Sequence, residues 1–185
     1  MMTDPRAGSI PLNIWARGRI VELDGDATGI DGLTSDIQLG AAFGVTSDLT
    51  LGFFGSLMNG SVDSSRIALD LDTTAYGGGI YGSLRIFEVL DLGMSAAYSL
   101  GDADVTIAGA DGSYDYDRLG LSISLSGAQA VGNFVLTPAV SLDYLRDSRD
   151  DYVDSTGLAV PGGTEEDFAI STGLNISRLW LFEAG

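Results

Sequence analysis

The sequence predicts an all-β fold: an antiparallel up-and-down barrel whose strands cross a membrane. Three observations predict it. Apolar and polar residues alternate in eight separate segments, and a period of two is that of a strand with one apolar and one polar face. The links between those segments alternate short and long along the whole chain, as the turns and loops at the two ends of a membrane barrel do. The polar face of the strand centres is glycine and serine, with almost no charge on the apolar face. A soluble sheet turns a charged face to water, whereas an apolar band against lipid around a wet interior explains both faces.

The segments follow in order. The first, 12–22, places Arg17 and Arg19 on the polar face. The second, 32–44, places Asp36, Gln38, Gly40, Ala42 and Gly44 there. In 48–59 Leu49, Leu51, Phe53 and Leu57 oppose Thr50, Gly52 and Ser56. The fourth, 70–86, turns Gly77, Gly79 and Arg85 to the polar side. In 89–101 Leu90, Leu92, Met94, Ala96, Tyr98 and Leu100 alternate with Asp91, Gly93, Ser95, Ala97 and Ser99. In 114–128 the alternation is strict, with Leu119, Leu121, Ile123 and Leu125 against Arg118, Gly120, Ser122, Ser124 and Ser126. The seventh, 133–146, repeats it from Phe134 to Tyr144, with Ala139 and Asp143 on the polar side. The eighth, 165–178, sets Phe168, Ile170, Leu174 and Ile176 against Asp167, Ser171, Gly173 and Asn175. Short links fall near Val45–Ser47, Phe87–Glu88 and Gln129–Gly132. Long acidic loops are expected at Asp24–Asp31, Gly60–Leu69, Asp102–Ser113 and Asp147–Thr164, where Asp24-Gly25, Asp111-Gly112 and Pro161-Gly162 read as turns.

Composition excludes much chemistry. The 185 residues carry 26 acidic and 9 basic side chains, for a net charge of −17, and all the basic ones are arginine. Histidine, cysteine and lysine are missing. That removes the Ser-His-Asp triad, thiolate chemistry, structural zinc, Schiff bases and the P-loop lysine. The charge opposes nucleic acid, which selects basic surfaces, and a polybasic anchor on an anionic bilayer. Met1 to Ile20 shows no signal peptide, and no apolar run is long enough for a transmembrane helix.

Three motifs invite chemistry and yield little. Gly77-Gly78-Gly79-Ile80-Tyr81-Gly82 fits G-x-G-x-x-G, but a dinucleotide loop must leave a strand and open a helix, and this one lies within a strand. Asp24-Gly25-Asp26-Ala27-Thr28-Gly29 begins like a calcium loop, yet position twelve is Ser35 rather than glutamate. Asp150-Asp151 and Glu165-Glu166-Asp167 pair carboxylates as glycosidases do, without an aromatic cleft beside them. No catalytic, metal or cofactor site is expected. The candidate functional surface is the inward face of the barrel. There Arg17, Arg19, Asp36, Gln38, Arg85, Arg118 and Asp143 would line a wet lumen, and Gly79 and Gly120, with other small residues, would leave it wide.

The order of short motifs adds a resemblance. Asn13-Ile14-Trp15-Ala16-Arg17-Gly18, the stretch from Leu39 to Gly52, Tyr81-Gly82-Ser83-Leu84-Arg85, Gly112–Asp117, and Leu136-Thr137-Pro138 followed by Leu142-Asp143-Tyr144 stand in sequence between Leu12 and Leu181. In spacing and order the chain resembles the C-terminal β-barrel, or translocator, domain of autotransporters, the type V secretion proteins of Gram-negative outer membranes. The resemblance implies a twelve-stranded barrel of which about eight strands are present. Residues 1–11 are then a short lead, 12–182 a partial barrel and 183–185 a truncated end without the family's terminal aromatic strand. It implies no enzymatic activity and no cofactor. Its partners would be outer-membrane lipid, the barrel assembly machinery and a passenger segment in cis. Its role would be export and anchoring of an N-terminal passenger at the cell surface. A complete eight-stranded outer-membrane protein with a structural or surface-binding role is the alternative.

Overall fold

The computed structural model describes residues 12–25, 29–64, 66–86 and 89–178. Eleven strands follow one another there: β1 (Leu12–Gly25), β2 (Ile30–Gly44), β3 (Leu49–Ser64), β4 (Leu69–Ile86), β5 (Leu90–Ile107), β6 (Ala110–Gly127), β7 (Gln129–Val131), β8 (Phe134–Arg149), β9 (Tyr152–Val153), β10 (Ala159–Val160) and β11 (Gly163–Arg178). Eight are long, and each overlaps one expected segment, most of them running past its end. They form one antiparallel sheet in the order β1-β2-β3-β4-β5-β6-β8-β11, with β7 pairing β8. The sheet curls into a half-barrel, and β1 does not pair with β11. The expectations for residues 1–11 and 183–185 lie outside the described residues.

The register turns the alternation into two surfaces. Ile14, Ala41, Phe53, Ile80, Ala96, Leu121, Tyr144 and Phe168 are successive cross-strand partners and share the convex face. The neighbouring row on the concave face reads Trp15, Gly40, Phe54, Gly79, Ala97, Gly120, Leu145 and Asp167. Convex side chains stand clear of the protein, with Ile14 76%, Ile80 66% and Ile170 75% exposed. Such a surface is unstable in water and suited to hydrocarbon. The apolar band also slants. Its upper tyrosines step down one row at a time, from Tyr76 in β4 to Tyr98 in β5 and Tyr144 in β8. The first outward acids step with them, from Asp102 in β5 to Asp117 in β6 and Glu166 in β11. The slant is the signature of strands tilted to the barrel axis, with an aromatic girdle at the interface.

The strands run on past the band. A bilayer needs about 9–11 tilted residues, and these have 14 to 18. Above the band the polarity reverses. Leu23, Val62, Leu71 and Val105 turn to the concave side, while Asp24, Asp31, Asp63, Asp70 and Asp111 lie in one convex row. Like charges directly across a ladder repel, so this row belongs in water.

Three of the four expected long loops are therefore wrong. Only four residues separate Gly25 from Ile30 and Ser64 from Leu69, and only two separate Ile107 from Ala110. The apolar residues change face above the band, so the period of two loses its phase and the segments read as irregular. Asp24-Gly25 and Asp111-Gly112 lie inside strands. The tight turn is Ala108-Gly109, with φ of 51° and 85°, the double left-handed geometry of a type I′ hairpin.

An alanine in that turn is strained, because its Cβ approaches the next carbonyl. Ala108→Gly is expected to stabilise the folded protein by about 1 kcal/mol, read as a higher midpoint in urea titration of the detergent-solubilised barrel. Leu121→Arg should cost roughly 2–4 kcal/mol on the lipid side. Ser122→Arg, facing inward beside Asp143, should cost far less, and equal penalties would contradict the register.

Candidate functional site

The inward face is identified by contacts that skip strands. The Trp15 Nε1–H on β1 donates to the Tyr81 hydroxyl on β4 at 2.7 Å, with two strands between them. That reach requires the sheet to bend toward these side chains. All nine predicted residues, Arg17, Arg19, Asp36, Gln38, Gly79, Arg85, Arg118, Gly120 and Asp143, fall on this same concave face by register. The structure groups some of them and leaves others apart.

At the end nearer the short turns, Arg85 Nε pairs with Asp91 at 3.4 Å, both half exposed. A pair so exposed adds little stability. A few rows up, Asp143 accepts hydrogen bonds from the Ser122 hydroxyl at 2.6 Å and the Ser141 hydroxyl at 2.9 Å. Further up, Arg118 grips Asp147 with two parallel bonds, Nε at 2.6 Å and Nη2 at 2.9 Å. The fork geometry fixes both side chains in one orientation. The Gln38 amide donates to Asp36 at 2.8 Å. Arg17 and Arg19 are exposed on β1 and join neither ion pair.

The middle of the wall corrects one expectation. Glycines there do not simply widen the lumen. Trp15, Phe54 and Tyr81 form a cluster with ring centroids 6.2 to 6.4 Å apart. Each ring lies over a glycine of a neighbouring strand: Trp15 over Gly40, Tyr81 over Gly52 and Phe54 over Gly79. A Cβ at any of the three would strike the ring. The glycines are the floor on which the aromatics lie, an arrangement that also pins strand register. Gly120 differs, because nothing lies within 4 Å of where its Cβ would be. Sequence reasoning missed the aromatic cluster, although Trp15 shares the phase of Arg17 and Arg19 and so belonged on the same face.

Two arms of the sheet enclose a cavity of about 520 Å³, lined by Thr34, Met58 and Thr73 on one side and Tyr116, Arg118 and Arg149 on the other. Its walls mix hydroxyls, one ion pair and aromatic edges. The G-x-G-x-x-G residues lie inside β4, and no helix follows. Asp24 and Gly25 are in β1 and Ser35 in β2, while Asp26 to Thr28 of the calcium-like segment lie outside the described residues. Glu165, Glu166 and Asp167 are strand residues of β11, and Glu166 accepts a hydrogen bond from the Tyr144 hydroxyl on the convex side.

A convex apolar band, an interfacial tyrosine girdle and a polar, aromatic-studded concave wall define a curved segment of an outer-membrane-type up-and-down β-barrel. The sequence profile described as Autotransporter beta-domain matches residues 14–184, and the chain belongs to that family. Among curated proteins none matches the chain. Among solved structures, the β-domain of the Bordetella autotransporter BrkA superposes with a TM-score of 0.77 at 16% identity, covering 90% of this chain and 70% of that one. The translocator domain of autotransporter NalP from Neisseria meningitidis gives 0.72 at 15% identity, covering 90% and 61%. The transport unit of the autotransporter AIDA-I from Escherichia coli gives 0.65 at 20% identity, covering 95% and 66%. At such identities the likeness is one of fold, and the chain spans 61% of the NalP domain.

The two glycines of the wall should respond differently to the same change. Gly79→Trp would drive a ring into Phe54 and the Ala96 carbonyl, and should abolish the folded, heat-modifiable band on unboiled gels. Gly120→Trp has open space and should leave that band intact.

Proposed function

We propose that the chain forms the lumen wall of a translocator barrel, which exports an N-terminal passenger and anchors it in the outer membrane of a Gram-negative bacterium. The observation that carries this reading is the pairing of two opposite surfaces on one sheet. The convex band asks for lipid, and the concave wall is polar, open and lined by hydroxyls, ion pairs and aromatic rings. An extended or helical segment crossing such a wall meets hydrogen-bonding groups at several tiers, between the aromatic cluster and the apolar residues near the mouth, and is kept from hydrocarbon by the sheet. Family membership supports the reading.

Three partners follow. Lipid covers the convex band. The assembly machinery of the outer membrane inserts the strands, shielding the exposed apolar band from water until lipid covers it. The passenger segment, in cis, occupies the lumen. The reading needs no enzymatic step, no cofactor and no nucleic acid, which the missing histidine, lysine and cysteine and the net charge of −17 all suit. The alternative of a complete eight-stranded barrel needs β1 to pair with β11. The sheet instead leaves those two edges apart, and the matched solved barrels are longer than the part this chain covers.

The test is a double readout on the full-length protein in cells. With Gly120→Trp the barrel should still enter the outer membrane and still shift on boiling, since the convex face is unchanged. Passenger display, read by protease shaving of intact cells, should fall. Normal display by a folded variant would speak against the lumen as the conduit.

A further inference from the structure

The fourth long connection, between β8 and β11, is neither slack nor directed away from the barrel. Pairing of β6 with β8 stops at Tyr116 and Arg149, while β6 continues to Ala110. Residues 150–155 continue in the direction of β8 along that free edge. The Asp150 N–H donates to the Asp115 carbonyl at 3.0 Å, and the Ser155 N–H donates to the Asp111 carbonyl at 2.7 Å. The Asp111 N–H donates in return to the Ser155 hydroxyl at 3.0 Å. The rest of the connection is folded on itself. β9 pairs with β10, and the Asp154 carboxylate accepts from the Thr156 hydroxyl at 2.6 Å and from the N–H groups of Thr156 and Leu158, both at 2.9 Å. Those donors hold the Asp154 carboxyl below the usual carboxylate range, the Thr156 hydroxyl contributing most.

One side chain of this hairpin enters the lumen side. Tyr152 stacks on Tyr114 with ring centroids 5.5 Å apart and planes 25° from parallel. Its ring lies where a Cβ of Gly112 would be. Gly112 and Tyr114 both belong to the concave face, as cross-strand partners of Val105 and Ala103. The Arg149 guanidinium lies 5.4 Å from the centre of the Tyr114 ring and donates to the Pro161 carbonyl at 3.2 Å, tying the far end of the connection to the same ring. The contacts that attach the hairpin to β6 are thus a few hydrogen bonds and one aromatic stack. Tyr152 is half-buried and the polar residues after it are mostly exposed. A body ordered within itself and lightly attached at one edge can detach without unfolding.

We infer that residues 150–162 are a strap at the surface mouth of the lumen, docked with Tyr152 inside, that narrows the opening and must leave β6 when a polypeptide passes. The inference rests on the export reading above, and its test separates the two. The chain has no cysteine, so Asp111→Cys with Ser155→Cys places a single pair within the barrel, at two residues whose backbones are hydrogen-bonded neighbours. In cells making the full-length protein, the oxidised pair should lock the strap and reduce passenger display. Reductant should restore display, and the unsubstituted protein should not respond to it. Full display by a folded, oxidised barrel overturns the strap. Independently, Tyr152→Ala in purified full-length protein should raise single-channel conductance in planar bilayers while heat-modifiability is retained. Unchanged conductance overturns the strap as well. If the unsubstituted protein displays no passenger, the export reading fails, and the conductance comparison still decides whether Tyr152 constricts the mouth.

Discussion

A backbone N–H or C=O in hydrocarbon has no water to bond, and each one left alone costs several kcal/mol. Everything else in this structure is arranged around that cost. Long antiparallel ladders satisfy the groups between β1 and β11, and register is continuous across all eight long strands. Even the interruption near Pro138, which has no N–H to donate, is bridged. β7 resumes the same register two residues beyond Gly127, pairing Gln129 with Leu136 as Ser126 pairs with Ala139. In lipid, the outer edges of β1 and β11 need partner strands for the same reason.

Register continuity has a second effect. Because the strands tilt, each cross-strand row climbs through the membrane from strand to strand, so a residue's depth is set by its row and its strand together. The slant of the tyrosines and first acids shows this directly, with Tyr76, Tyr98 and Tyr144 lying at one interface although their rows differ. Beyond the interface the same strands continue under a different rule. There water replaces lipid outside, so aspartates take the convex row and Leu23, Val62, Leu71 and Val105 take the concave one. One strand thus obeys membrane polarity at one end and soluble polarity at the other.

The concave wall combines order and openness. Aromatic rings over Gly40, Gly52 and Gly79 fill one tier, and paired charges at Arg118–Asp147 and the Ser122–Asp143–Ser141 group hold others. None of these needs desolvated, unpaired charge. Gly120 and Gly173 face open space, so the passage is shaped by where rings and small residues fall along each row. At the mouth, Tyr152 adds the last ring from outside the ladder.

The sequence alone determined the eight long strands, the two faces and the side on which Arg17, Asp36, Gln38, Arg85, Arg118 and Asp143 lie. A period of two needs nothing but alternation, and lipid enforces that alternation strictly over the membrane span. The family was legible too, from motifs strung in order along those strands. What the sequence could not display was any property that depends on which strand lies beside which. The pairing of glycine with ring is one, since Trp15 meets Gly40 only through the β1–β2 register. The three short hairpins are another. Above the bilayer the apolar residues change face, so local periodicity breaks while the ladder hydrogen bonds continue unbroken. The docking of residues 150–162 is a third. It exists because β6 outruns β8 and leaves an edge to cover, a difference in strand length that appears only once the sheet is assembled.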